Sequence, residues 1–335
     1  MTCYGVFGLV VSSEFDLTAL LPESSMPADI TICRADVNLP AGVNRRRIDR
    51  RGSQRVVGVS SEGYYLDVPD VGRFFLGVDR IDCDVRPDID PRVLERCLVG
   101  SILSLWCERQ AMLVLHGATV GIGGHAVVFA AHAGSGKSSL AASFVQDGAK
   151  LLGDDQALME LRSGSFSVRQ AYPTLRLAGG TQSMLSTECV SLGSSHVTDR
   201  KRSLTVNERA FSNGPLRLAA IYLLGRRDPD LQDGVQLQAV GKRNAIIELI
   251  RFTSTPRTVN AAGLQPRRLK LLTSLAGVIP VKHLIYPSGL HRLHEVKEAV
   301  RLDLRATIGV SQSGIEPRAS SPAASDQNSP PSRLQ

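Results

Sequence analysis

Hydrophobic and polar residues alternate with the two-residue period of β-strands in much of the first 90 residues. Residues 30–33 alternate in this way, and residues 6–11 form a short apolar run. Two more strands are predicted at 63–69 and 73–78, with turn residues between them. No residues in this region have catalytic spacing. The pattern predicts a β-rich region over residues 1–90, for which the roles of lid, docking module and structural addition are all open.

The period changes to that of an α-helix after residue 90, where apolar residues recur three and four positions apart. A helix is predicted over 91–109, with Pro91 in its first turn. Two strands follow at 113–120 and 126–130, and the second runs into a glycine-rich loop and a helix that ends at Gly148. The remaining predicted elements are strands at 150–155, 218–224 and 281–286 and helices at 242–252, 265–276 and 290–302.

These elements predict an α/β domain over residues 91–305. Residues 309–335 are rich in Ser, Pro, Ala and Gly, which is the composition of a disordered tail. The whole chain is 43% hydrophobic and 21% charged, within the range of soluble globular proteins. No internal repeat is evident.

Part of the net charge of +7 is concentrated in one short polar segment. No aromatic residues are interleaved with its arginines, as they often are in proteins that bind nucleic acid. A solvated loop is therefore favoured over a docking patch for nucleic acid or for an acidic peptide. The arginines are Arg45, Arg46, Arg47, Arg50, Arg51 and Arg55.

The six cysteines are scattered without a Cys-x-x-Cys pair, which favours reduced thiols over disulfides or a zinc site. The N-terminus shows no signal peptide, and no apolar run is long enough to span a bilayer. We therefore expect a cytoplasmic protein without membrane contact.

The glycine-rich loop carries the strongest chemical signal. It matches the phosphate-loop pattern G-x-x-x-x-G-K-[ST] except that Ala131 replaces the first glycine. In such a loop, Lys137 neutralises nucleotide phosphates and the Ser138 hydroxyl is a ligand of Mg²⁺. The alternative is an ordinary strand-to-helix turn with a surface lysine. The candidate nucleotide-binding residues are Ala131, His132, Ala133, Gly134, Ser135, Gly136, Lys137, Ser138 and Ser139.

Two neighbouring carboxylates, Asp154 and Asp155, end the predicted strand that follows the loop helix. Strand ends of one polarity lie together in such a sheet, so we expect the pair near the loop. One aspartate could join Ser138 around Mg²⁺ while the other accepts the proton of an attacking hydroxyl. If the strand continues, the two side chains point to opposite faces. His116 lies before the loop and, from chemistry alone, is more typical of a hydrogen-bonded core residue.

Three motifs in this order resemble the catalytic domain of the HPr kinase/phosphorylase family: Leu115-His116-Gly117-Ala118, Gly134-Ser135-Gly136-Lys137-Ser138 and Asp154-Asp155. The chain looks closer still to the HPr kinase-like proteins found with peptide-modifying biosynthetic genes, including lasso-peptide kinases. Their Tyr-Pro-x-Leu-Arg-Leu segment is similar to residues 172–177. The resemblance covers roughly residues 4–303 and is strongest between 115 and 177.

The resemblance implies an ATP- and Mg²⁺-dependent serine kinase with an α/β P-loop domain similar to those of HPr kinases and phosphoenolpyruvate carboxykinases, with a mixed sheet. By the motif match, Lys137 binds phosphate, and Ser138 and Asp155 hold the metal. Asp154 becomes the base, and His116 becomes a site residue. The candidates for neutralising the transferred group are Arg176 and one of Arg200, Lys201 and Arg202.

The chain also departs from the family, because it has no Glu-x-Arg-Gly-x-Gly signature of phosphorolysis. We therefore expect kinase activity without the reverse reaction. The implied acceptor is a serine of a peptide or small protein, such as a ribosomal natural-product precursor, and nucleic acid is disfavoured. A nucleotide-binding protein that escorts a peptide without modifying it and a kinase for small hydroxylated molecules are the alternatives. HPr kinases are hexamers, which makes a homo-oligomer one option here.

Overall fold

A computed structural model describes residues 1–18, 20–41, 43–50, 53–178, 181, 190–198, 201–225, 234–287 and 289–313. Its first part is an eight-stranded sheet, which confirms the β-rich N-terminal region. The strand order is β1-β2-β3-β8-β7-β6-β5-β4, so β4 lies at an edge. The strands are β1 (Thr2–Val6), β2 (Leu9–Ser13), β3 (Ile30–Arg34), β4 (Asn44–Arg50), β5 (Ser53–Val59), β6 (Tyr64–Val68), β7 (Gly72–Leu76) and β8 (Arg80–Val85).

The arginine-rich segment forms strands β4 and β5, so the expectation of a solvated loop is wrong. The two strands pair antiparallel, with Arg47 opposite Val56. Polar residues at every position of β4 except Ile48 hid the period-2 pattern that marks a half-buried strand. Arg51 lies outside the described residues.

The predicted helix over 91–109 forms as α1 (Pro91–Cys97) and α2 (Leu103–Arg109), joined by one wider π-helical turn at Leu98–Ile102. The Asp90 side chain caps its start by accepting from the backbone N–H of Arg92 at 2.8 Å. The apolar stripe packs on the N-terminal sheet and shares one core with it. The buried members include Leu94, Leu98, Ile102 and Leu105 from the helices and Ile32, Leu66 and Phe74 from the sheet.

A nine-stranded mixed sheet follows, with the order β12-β10-β11-β18-β14-β13-β9. β20 pairs with β18, and β19 pairs with β20. β11, β18 and β20 are parallel, and the other pairs are antiparallel. A separate three-stranded sheet has the order β15-β17-β16. The strands are β9 (Leu113–Leu115), β10 (Gly117–Ile122), β11 (His125–Ala130), β12 (Lys150–Gly153), β13 (Ala157–Arg162), β14 (Ser165–Arg169), β15 (Thr174–Ala178), β16 (Val190–Thr198), β17 (Lys201–Val206), β18 (Leu216–Leu224), β19 (Gln236–Ala239) and β20 (Val281–Ile285).

Helices cover both faces of the mixed sheet, which explains the unbroken apolar run of β11. Val127 and Phe129 face one helix layer, and Ala126, Val128 and Ala130 face the other. The first layer holds α3 (Lys137–Gln146) and α7 (Leu293–Ser313), and the second holds α4 (Lys242–Arg251) and α6 (Gln265–Val278); a short α5 (Pro256–Ala261) packs near β4.

Two sequence expectations need correction at element boundaries. The strand predicted over 113–120 is two strands, β9 and β10, that separate at His116; β9 pairs with β13, whereas β10 pairs with β11 and β12. Helix α7 runs to Ser313, past the predicted start of the tail at Gly309, and the residues beyond it lie outside the described part.

Gly148 follows the end of α3 with φ +88°, as the predicted helix stop requires. Among the described residues, the cysteines Cys3, Cys33, Cys83, Cys97 and Cys107 form no disulfide. No helix in the described ranges has the length and apolarity needed to cross a bilayer.

Candidate functional site

The glycine-rich loop connects the end of β11 to the first turn of α3. Gly134 and Gly136 have φ +86° and +88°, a left-handed conformation that glycine adopts without steric cost. Gly136 is the N-cap of α3, and no side chain caps this helix end. A methyl group added at Gly134 would meet no atom within 4 Å, so the space over the loop is open. Uncapped amides facing open space fit a phosphate group.

Ala131 is fully buried and belongs to the core between the mixed sheet and α3. The departure from glycine at this position is therefore accommodated by apolar packing. His132 and Ala133 are exposed at the tip of the loop. The His132 ring lies 5.1 Å from that of Phe252.

Lys137 and Ser138 begin α3, and both side chains are buried. Lys137 is 5% exposed, and its Nζ donates to the carbonyl of His132 at 3.3 Å. A lysine folded over its own loop does not match the alternative of a surface lysine on an ordinary turn. The Ser138 hydroxyl donates to Oδ1 of Asp154 at 3.0 Å.

The acid pair lies beside the loop because β10 is antiparallel to both β11 and β12. β11 and β12 therefore run in the same direction, and their carboxyl ends lie at one edge of the sheet. The convergence expected from the sequence occurs. The strand stops at Gly153, however, and Asp155 adopts φ +67°, so the pair sits in a turn rather than on opposite faces of a strand.

Asp154 is 1% exposed and accepts three hydrogen bonds. Besides Ser138, its donors are the backbone N–H groups of Asp155 at 2.9 Å and of Arg176 at 3.0 Å. Burial, and then the negative charge of Asp155, raise the pKa of Asp154 to about 6, while the hydrogen bonds from Arg176 and Ser138 and the charge of Lys137 oppose the shift. Of the two aspartates, Asp154 is the one that Ser138 contacts, and the assignment of Asp155 as the metal ligand stays a prediction.

Asp155 faces the small sheet through an ion pair. Its Oδ2 accepts from Nη1 of Arg176 at 3.1 Å, and the two side chains are 21% and 28% exposed. Arg176 lies on β15, so the Tyr-Pro-x-Leu-Arg-Leu segment brings a guanidinium to the acid pair. This carboxylate is the more accessible of the two.

His116 stands at the break between β9 and β10. Its backbone N–H donates to the carbonyl of Phe252 at 2.6 Å, and its Nδ1 lies 2.9 Å from the carbonyl oxygen of Asp155. Because a carbonyl can only accept, Nδ1 must carry the proton of this hydrogen bond. His116 thus holds the backbone of the Asp155 turn.

Gln156, which the sequence reasoning missed, also holds this turn in place. Its Nε2 donates to the carbonyl of Gly100 at 3.0 Å and to the hydroxyl of Ser104. Gly100 lies in the π-helical turn, where the widened backbone exposes a carbonyl, and such turns occur frequently at functional sites. Partners more than 50 positions away in the chain leave no local signal in the sequence.

The second basic cluster is less complete. Arg202 is exposed on β17, and no hydrogen bond joins it to the acid pair within the part of the chain that the structure describes. Arg200 lies outside the described residues, and the side chain of Lys201 is not described.

The donor set fits Mg²⁺ bound together with a nucleotide. Hard oxygen ligands, one hydroxyl and one or two carboxylates, suit this ion, which usually keeps phosphate oxygens and waters in its shell. Across the described ranges, no three His, Cys, Asp or Glu side chains form a metal cage of their own. Any metal here would therefore depend on the phosphates.

No family model matches the sequence, and the curated proteins contain no match either. Among solved structures, the chain is similar to the HPr(Ser) kinase/phosphatase from Coxiella burnetii. The TM-score is 0.32 and the identity 11%, over 58% of this chain and 97% of that one. At this TM-score and identity the similarity is distant and supports no conclusion about family or activity.

Proposed function

We propose that this protein is a kinase that transfers the γ-phosphate of ATP to a serine hydroxyl of a peptide or small protein. The observation that carries the proposal is the 3.0 Å hydrogen bond between Ser138 and Asp154, with Asp155 next to it. It ties the phosphate loop to a pair of carboxylates. A phosphate loop alone serves any nucleotide-binding protein, whereas transfer to a hydroxyl also calls for a group that accepts the proton.

The donor side consists of the loop amides, Lys137, Ser138 and Asp154. Lys137 and the uncapped amides of α3 balance the phosphate charge. In phosphate loops the serine shares Mg²⁺ with an aspartate, and Asp154 is the one that contacts Ser138. Mg²⁺, when bound, supplies further charge neutralisation on the phosphate oxygens.

The acceptor side consists of Asp155 and Arg176. Asp155 is the more exposed carboxylate, and its turn is held by His116 and Gln156. We propose that Asp155 accepts the proton of the serine hydroxyl. Arg176 orients the Asp155 carboxylate and offsets its charge. These roles reverse those implied by the family resemblance, in which Asp154 is the base and Asp155 the metal ligand.

A transfer assay tests the proposal. The full chain is incubated with Mg²⁺, ATP labelled at the γ-phosphate, and a pool of serine-containing peptides or the same pool with alanine for serine. Label is expected in the serine pool only. Lys137→Ala should lower the rate about a hundredfold or more, because a preorganised positive charge is lost. Lys270→Ala, which removes an exposed lysine on α6, is the matched control.

The two aspartates separate the roles. Asp154→Asn should weaken binding of Mg²⁺-nucleotide, whereas Asp155→Asn should leave that binding intact and abolish transfer, as calorimetry and the transfer assay would show. The opposite result restores the roles implied by the resemblance. ATP binding without phosphopeptide in either pool would instead favour a peptide-escorting protein, and ADP release with small hydroxylated compounds alone would favour a metabolite kinase.

A further inference from the structure

A cleft of about 460 Å³ opens on the N-terminal sheet, lined by Leu39, Arg45, Arg47, Val56, Asp67 and Arg73. It lies on the face turned away from the helices α1 and α2. Val57, Leu66 and Phe74 are buried in the core shared with those helices. Their chain neighbours point to the other face, because successive side chains of a strand alternate. The cleft is separate from the phosphate loop and the acid pair.

Strand register brings the cleft residues into one row. Arg47 is paired with Val56, Val56 with Asp67, and Asp67 with Arg73. Arg45 lies two positions before Arg47 on the same face of β4. Three guanidinium groups therefore stand around an apolar floor, with Asp67 as the carboxylate among the lining residues.

Among the described residues, Arg73 alone of the three guanidinium groups has an ion-pair partner, Asp84, and it also donates to the carbonyl of Val37 at 3.5 Å. Arg45 donates to the carbonyls of Leu39 and Pro40 at 3.4 and 3.5 Å. Arg73 lies 3.8 Å from Asp84, at the outer limit of an ion pair. No hydrogen bond or ion pair of the Arg47 guanidinium is seen among the described residues. Grouping like charges in this way is unfavourable unless an anion joins them, and guanidinium forks suit carboxylates.

The cleft also borders an edge of the sheet, where α5 packs against β4 and Arg257 donates to the carbonyl of Asp49. β4 is the last strand of its sheet and pairs with β5 on one side. An extended peptide can add to such an edge and place alternate side chains on one face. The two-residue spacing of Arg45 and Arg47 matches the side-chain period of such a strand.

We propose that this cleft binds an acidic peptide segment in an extended conformation. Two carboxylates of the peptide, two residues apart, pair with Arg45 and Arg47, and Arg73 receives charge at the far side of the cleft. Apolar side chains on that same face of the peptide, before or after the two carboxylates, cover Leu39 and Val56. Charged residues on an edge strand also discourage aggregation. That role requires no cavity, and Arg46 on the opposite face would serve it equally well.

Fluorescence anisotropy with a labelled peptide that alternates glutamate and valine tests the proposal. The matched peptide carries glutamine for glutamate. We expect the glutamate peptide alone to bind, more weakly as salt rises, because ions screen exposed charges. Arg47→Gln and Arg73→Gln should each weaken binding about tenfold, the effect of losing one charge-assisted contact. Circular dichroism and thermal melting confirm that these surface variants are folded.

Arg46→Gln is the control for charge, because Arg46 lies between the two cleft arginines and donates instead to the carbonyl of Asn260 at 3.4 Å on the other face. It should leave the affinity unchanged. Equal loss in Arg46→Gln and Arg47→Gln would show general charge attraction and overturn the proposal. Binding of a single-stranded oligonucleotide in place of the peptide, with dependence on Arg47, would overturn it in favour of nucleic acid.

A charge swap gives a second, independent outcome. Arg47→Glu should bind a peptide that alternates lysine and valine better than the unmodified protein does. Failure of this gain, with both proteins folded, counts against an ionic contact at Arg47. Nucleotide binding of the cleft variants should be unchanged, so the result stands apart from the outcome of the transfer assay.

Discussion

Asp154 and Glu95 are both buried carboxyl groups, but their surroundings differ. Asp154 accepts three hydrogen bonds at the edge of the phosphate loop. Glu95 on α1 is 2% exposed and accepts from the backbone N–H of Leu20 at 2.8 Å. Burial raises the pKa of Glu95 to about 7. The hydrogen bond from Leu20 and the charge of Arg96 lower this pKa, but by less than burial raises it. Glu95 therefore makes the stability of the protein sensitive to pH.

The sign follows from linkage. The folded protein holds the Glu95 proton more tightly than the unfolded chain does. Glu95 therefore contributes most to stability at pH values below its ordinary pKa. This contribution is lost as the pH rises through about 7. Glu95→Gln keeps an acceptor for Leu20 and removes the titration. We expect it to be more stable than the unmodified protein at pH 8, and the difference to shrink toward pH 4.5. At pH 8 the difference in unfolding free energy should be on the order of 1 to 2 kcal/mol once solvent screening is allowed for.

Urea unfolding across this pH range measures the difference. Glu62→Gln, at an exposed position, changes the net charge equally and should give a curve parallel to that of the unmodified protein. Parallel curves for Glu95→Gln as well would contradict the assignment.

At the scale of elements, the π-helical turn between α1 and α2 connects the N-terminal region to the acid pair. It exposes the carbonyl of Gly100, which accepts from Nε2 of Gln156 and from Oγ of Ser104. Gln156 follows Asp155 directly, so the helix contacts the turn that carries the carboxylate. The widened turn therefore has a role in positioning the site.

Gln156→Met tests this positioning role. The substitution removes two hydrogen bonds but also removes the buried Oε1, which has no partner among the described residues. These effects oppose each other, so stability should change by less than about 1 kcal/mol. The transfer rate should fall about tenfold or more, because a displaced group loses catalytic geometry. Ser104→Ala, which leaves Gly100 available to Gln156, should give an intermediate rate. A loss of unfolding free energy as large as the loss of transfer rate, expressed as a free energy, would indicate a purely structural role.

At the scale of the whole molecule, a buried ion pair joins distant parts of the chain. Arg268 on α6 and Glu108 on α2 are almost fully buried, with Nη2 and Oε1 2.7 Å apart. Arg268 also donates to the carbonyl of Ser254, and Glu108 accepts from the backbone N–H of Val114 on β9. Burial raises the pKa of Glu108, and Arg268 opposes the shift.

Removing one partner leaves a buried charge without compensation. Arg268→Met should lower the free energy of unfolding by about 3 to 5 kcal/mol. Adding Glu108→Gln should recover part of this loss, and thermal and urea unfolding of the three variants measure the cycle. Arg267→Met, in which the removed guanidinium is largely exposed, is the control and should change stability little. If the loss of unfolding free energy in the double variant equals the sum of the losses in Arg268→Met and Glu108→Gln, the two groups act independently.

Local chemistry was enough to predict the strand, glycine-rich loop and helix at residues 126–146, the cap at Gly148 and elements such as β18 and α4. Glycine dihedrals, apolar periodicity and the strand-to-helix transition involve residues close in the chain. The β-rich character of the N-terminal region also followed from its period. The small sheet of β15, β16 and β17 and the strands β13 and β14 were not predicted, although β13 pairs with β14 and β16 with β17, each with its neighbour in the chain.

The amino-acid order therefore determined that a glycine-rich strand-to-helix loop and a carboxylate pair lie at one edge of a sheet. Only tertiary contacts decided that Ser138 faces Asp154, that Arg176 faces Asp155, and that the chain breaks at His116 within a continuous apolar run. They also made the arginine segment an edge strand that borders a cleft. The physical reason is that partners far apart in sequence satisfy these polar groups, and no local pattern records which partner that is.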